Sequence, residues 1–149
     1  MRKAVVAAIV AAFAVLPVTA SADDKDKVPN LVGTWEGELH GMSAGKGPGP
    51  RGTDGTWEKP AMEEGKVITR VTGQQGNYFW GVREFTNGYK VNFMGMLSGP
   101  NAEVMGIAES GAHYWGKVSD NKMQLCVAHT PMEGFKRFDL SCSNLTRSK

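Results

Sequence analysis

Basic clusters are missing from this chain, and cysteine is scarce. There is no His-Glu-x-x-His or Cys-x-x-Cys, which removes the zincin helix and the dithiol redox motif. The glycine-rich stretch 45–52 carries Pro48 and Pro50, which lack amide donors, and no helix follows it. It is therefore not a phosphate cradle. His40, His113 and His129 share no metal spacing. Apolar residues do not recur with helical period, which argues against a bundle. No cofactor is expected.

The one long apolar run lies at the start. Met1-Arg2-Lys3 is a short positive segment, and residues 4–16 then carry no polar side chain. Pro17 interrupts the run, and Ala20-Ser21-Ala22 supplies the small residues that a signal peptidase requires. At ~1.5 Å per residue the run reaches about 20 Å, short of a bilayer core of ~30 Å. Residues 1–22 therefore read as a cleaved signal peptide, and the expected location is secreted or periplasmic. No later stretch is apolar enough to span as a helix, so no transmembrane segment is expected in the mature chain. The full chain has 17 Lys+Arg and 15 Asp+Glu; removing Arg2 and Lys3 leaves 15 of each, a neutral domain. Neutrality without a basic patch argues against nucleic-acid binding. Cys126 and Cys142 are an even pair, and in an exported chain they are expected to form a disulfide.

Residues 31–149 read as one domain, preceded by a disordered lead-in at 23–30. Abundant glycine and regularly spaced turns favour an all-β fold. Strands are expected at 31–40, 66–72, 78–85, 89–97, 102–108, 112–118, 122–129 and 136–146, with a Gly/Pro-rich loop at 41–65. Asn87-Gly88 is a strong hairpin signal. Two-residue turns there and at Ser110-Gly111 pair Trp80 with Gly95 and Gly106 with Trp115, so that strand glycines face bulky partners. A hairpin symmetric about Gly134 sets Cys126 opposite Cys142. Eight short antiparallel strands close most readily into an up-and-down barrel, which removes exposed edges.

Alternation along the strands then assigns the faces. One face carries Trp80, Phe93, Trp115 and His113 with Gly95 and Gly106, and is expected to line an interior cavity. Those six residues are the candidate ligand site, suited to a small apolar or aromatic molecule; packing as plain core is the alternative. Glu84, His113 and Lys117 fall on the same face and are the candidate acid–base groups if the cavity is enzymatic, although a non-enzymatic binder is the leading reading. A third reading is an interaction or inhibitor protein on a filled barrel. Met94, Met96 and Met105 share the opposite face with Phe79 and Phe85. Their thioethers suit Cu(I), and equally suit an outer apolar patch or oligomer contact.

Gly33-Thr34-Trp35 on the first strand resembles the Gly-x-Trp signature of the calycin group, the lipocalin-like and avidin-like barrels. In lipocalins a basic residue at the end of the last strand packs over that tryptophan. The resemblance implies that Arg147 lies over Trp35, and that the barrel binds a small molecule at its open end. The biotin-contacting residues of the avidin-like barrels have no counterparts that can be placed here.

Overall fold

A computed structural model describes residues 28–46, 54–99, 102–131 and 136–148. Residues 1–27, with the expected signal peptide and most of the expected lead-in, lie outside the described residues. Eight strands run in chain order: β1 (Gly33–Lys46), β2 (Ala61–Gln75), β3 (Tyr78–Phe85), β4 (Lys90–Ser98), β5 (Glu103–Ala108), β6 (His113–Ser119), β7 (Lys122–His129) and β8 (Lys136–Arg147). Each pairs antiparallel with the next, and β8 returns to β1, so the sheet is a closed up-and-down barrel. No helix occurs among the described residues.

The connection expected at 41–65 is much shorter. β1 continues to Lys46 and β2 begins at Ala61, and Gly45 and Gly55 form a further bridge. Among the glycines that suggested a loop, Gly41 and Gly45 are close-approach positions within the sheet. A Cβ on Gly41 would fall 2.6 Å from the Leu140 carbonyl oxygen, and one on Gly37 only 1.9 Å from that of Asn144. Inward-facing Gly37 and Gly41 alternate with buried Trp35, Leu39 and Ser43, letting β1 curve tightly against β8.

Two hairpin registers differ from expectation by one residue. The Asn87-Gly88 turn is a three-residue loop: the Gly88 amide donates to the Phe85 carbonyl at 2.9 Å, and the Phe85 amide to the Tyr89 carbonyl at 2.9 Å. Gly88 has φ +80°, as the left-handed residue of a type I turn with a G1 bulge. The Ser110-Gly111 turn repeats this, with Ala108 and Ala112 closing the loop and Gly111 at φ +79°. Trp80 therefore pairs with Met94 instead of Gly95, and Trp115 with Met105 instead of Gly106. A slip of one residue exchanges faces. Phe79, Arg83, Phe85 and Tyr114 point inward, and Trp80, Glu84, His113, Trp115 and Lys117 point outward. Large-against-small pairing persists with a different aromatic set: Phe79 opposite Gly95, Phe93 opposite Gly81, Tyr114 opposite Gly106. Phe79–Phe93 and Phe93–Tyr114 ring centroids lie 6.1 and 6.0 Å apart across the core.

The start of β1 is plugged. Leu31 is fully buried, accepts the Trp35 indole N–H at 2.9 Å through its carbonyl, and donates its own amide to Gln74. The Arg147 guanidinium stacks over Trp35, 4.5 Å from the ring centroid, and donates to the carbonyls of Val32 and Asn30. The opposite end holds buried charge: Arg137 bonds to Glu63 and, through Nε, to Asp139 at 2.7 Å.

Cys126 and Cys142 stand directly opposite on β7 and β8 and are joined by a disulfide with Cα atoms 4.0 Å apart. In the chain-entropy account a loop of this length is worth about 3 kcal/mol. Cys142→Ala is expected to lower unfolding free energy by roughly that amount in urea titrations; a loss under ~0.5 kcal/mol would show that the bridge does not constrain the unfolded chain.

Candidate binding groove

The barrel interior leaves little room. A gap near the Arg137 end is about 50 Å³ and is lined by Arg83, Tyr89, Tyr114, His129 and Asp139 among others. Drug-sized ligands occupy roughly 300–1,000 Å³. Arg83 fills much of the centre: it is 1% exposed, donates to the Ser143 hydroxyl at 2.6 Å, and its guanidinium lies 5.6 Å from the ring centroids of both Phe85 and Tyr114. The cavity expected between Trp80 and Trp115 inside the barrel is therefore not there, and Phe93, 7% exposed, is core.

Burial raises the hydroxyl pKa of Tyr114, opposed by nearby Arg83, and raises that of Tyr89, where Glu109 and Asp139 add to the effect. Ionisation is thus harder in the folded state than in the unfolded one. Stability from these groups is fully present below the unfolded value of ~10 and is lost as pH rises through the folded values. Ultraviolet titration is expected to show two tyrosines ionising late, together with alkaline unfolding. Ordinary titration of Tyr89 and Tyr114 in folded protein would contradict this.

The acid–base candidates do not meet. Glu84 lies on β3 and His113 and Lys117 on β6, with β4 and β5 between them, all on the outer wall. Glu84 accepts from Arg70 at 2.6 Å and faces Lys90 at 3.5 Å. The Arg70 hydrogen bond, aided by Lys90, holds its carboxyl below the usual range. A carboxylate so stabilised is a poor proton acceptor at neutral pH.

The outer wall holds the larger feature. An open groove of about 700 Å³ runs across β3–β6. Its walls include Tyr78, Trp80, Met94, Met105, Ile107 and Trp115, and Gly95 and Gly106, directly opposite each other, contribute bare backbone. Five of the six residues singled out from the sequence, namely Trp80, Gly95, Gly106, His113 and Trp115, line this one groove; Phe93 does not. Ile107 was not among the candidates, although its alternation with Met105 marks it as an outward apolar position.

Two cross-strand rows build the groove: Tyr78–Met96–Met105–Trp115 and Trp80–Met94–Ile107–His113. The second row continues through Ala128 and Leu140 to Met42 and Met62. There a second cleft of about 240 Å³ opens beside Trp57, whose ring lies 4.9 Å from that of Phe138. Met94, Met96 and Met105 lie on one outer face, with Met96 directly opposite Met105. Among the described residues no group of three His, Cys, Asp or Glu is placed to hold a metal.

No family model matches this chain, and no match was found among curated proteins or solved structures.

Proposed function

We propose that this is an exported, non-enzymatic binding protein that takes an apolar or aromatic ligand on the outside of a filled barrel. The observation that carries the reading is the groove: Tyr78, Trp80, Met94, Met105, Ile107 and Trp115 each remain 43–62% exposed along one concavity. Monomeric proteins seldom leave that much contiguous apolar surface uncovered without a use for it. The filled interior supports reading the wall, and not the barrel mouth, as the binding surface, and the separation of Glu84, His113 and Lys117 favours binding over catalysis.

Export is supported by residues 1–22 and is compatible with the disulfide. The Trp35–Arg147 contact is the one that the calycin resemblance implies. A membrane-spanning barrel fits less well. The groove is two outward rows deep, about 7 Å apart along the strands, against an apolar band of ~25 Å in outer-membrane barrels. The interior is also packed around an apolar core, where those barrels enclose a polar lumen.

Titration with the apolar dye anilinonaphthalene sulfonate tests the reading. The native chain is expected to enhance dye emission and to lose tryptophan emission together. Ile107→Lys is expected to weaken both at least about tenfold with an unchanged melting temperature, because the side chain points to solvent. Equal dye binding by parent and variant would falsify the groove reading. Sequencing of exported protein is expected to find Asp23 first, or Ser21 if cleavage follows Val18-Thr19-Ala20; retention of Met1 would remove the export part.

A further inference from the structure

We infer that the groove is closed by a second copy of this chain, so that the binding site is the space between two barrels. The inference rests on the groove being the binding surface. A ligand in so open a trough keeps one side in water, whereas small-molecule sites bury 70–90% of their ligand. One barrel supplies only one wall. Among the described residues no sheet edge is free to add another by strand pairing, because all eight strands are paired on both sides.

Four observations favour a second copy as the missing wall. The first is area. At ~200 Å² for a large side chain, the six exposed groove residues present on the order of 600 Å² of apolar surface. Met96, His113 and the polar rim bring this near the ~800 Å² per partner of a standard interface. The second is composition: tryptophan, tyrosine and methionine dominate, and charge is absent from the centre, as in interface cores. The third is charge. Without residues 1–22 the chain carries 15 basic and 15 acidic residues, so two copies do not repel and no cationic patch draws the groove to an anionic surface. The fourth is the rim. Glu103 pairs across the strands with Lys117, immediately beyond the Met105–Trp115 pair. A two-fold axis requires self-complementary surfaces, and a rim holding both signs can meet its own copy.

The groove is concave, so facing copies touch at Tyr78, Met94 and Met105, the three most exposed of the six. Between them they leave an enclosed apolar chamber. The partner copy thus contributes residues to the site, and the ligand is a molecule with two apolar faces.

Sedimentation velocity on the oxidised, exported chain tests this. The parent is expected to be dimeric at micromolar concentration. Met94→Lys is expected to weaken self-association at least about tenfold without lowering the melting temperature. A parent that stays monomeric to ~100 μM, where even weak specific dimers form, overturns the inference, as does a dimer untouched by Met94→Lys. Co-flotation of a monomeric chain with phosphatidylcholine vesicles also overturns it, in favour of lipid as the second wall. Dye titration of the same samples separates the two readings. A monomer whose dye binding is lost in Ile107→Lys removes the second copy and keeps the groove; a monomer that binds no dye removes both.

Discussion

Gly37→Ala is expected to cost at least ~3 kcal/mol, at the top of the range for overpacking. The added Cβ would sit 1.9 Å from the Asn144 carbonyl oxygen and 3.1 Å from the Leu145 Cα. Both are backbone atoms of β8 that cannot turn aside as a side chain can. The site is on the seam where β1 closes on β8, so relief requires the barrel itself to open. Gly65→Ala is the control. Gly65 is also in a strand, but its added Cβ would meet only the Thr86 hydroxyl at 3.6 Å, an ordinary contact. Loss of glycine's freedom in the unfolded chain is then expected to stabilise by a few tenths of a kcal/mol. The two alanines should move urea midpoints in opposite directions. Equal, small effects would mean that the seam relaxes easily.

Arg137→Met is expected to destabilise by about 3–5 kcal/mol, because breaking a buried ion pair leaves charge without its counter-ion. Arg137 is fully buried and bridges Glu63 on β2 to Asp139 on its own strand. Without it two carboxylates face each other at the end of the core. The double variant Arg137→Met/Glu63→Leu is expected to recover most of the loss, since replacing a buried pair with apolar side chains is often close to neutral. Asp139, 13% exposed, retains some contact with water. A single-variant loss below ~1 kcal/mol, a value typical of exposed pairs, would show that this end of the barrel is solvated.

The fold was legible because its evidence is local. Turn residues, strand lengths and the Cys126–Cys142 symmetry each lead to a closed meander without any knowledge of which face is buried. The faces were not legible, because they depend on the size of two loops. Asn-Gly and Ser-Gly fit a two-residue turn as well as a three-residue loop with a glycine bulge. Aromatic doublets, Phe79-Trp80 and Tyr114-Trp115, put an apolar residue on either side of the sheet, so burial pattern could not correct the slip. Hydrophobic alternation specifies register only where one face is polar. Here β3–β6 are apolar on both faces at their middles, and that double apolarity was the available signal that the outer wall has a surface of its own. Residues 41–65 misled for a related reason. Glycine marks a turn and a close approach alike, and only the position of the neighbouring strand distinguishes them.

Methionine methyl groups allow the outer wall and the interior to be read in one spectrum. Met94, Met96 and Met105 lie in the groove, Met42 and Met62 lie further round the outer wall, and Met123 is buried at 1% exposure inside the barrel. In protein with labelled methionine methyls, addition of anilinonaphthalene sulfonate is expected to shift the resonances of Met94, Met96 and Met105 and to leave Met123 where it was. A ligand-dependent shift of Met123 with the groove methyls unmoved would place binding inside the barrel and contradict the account.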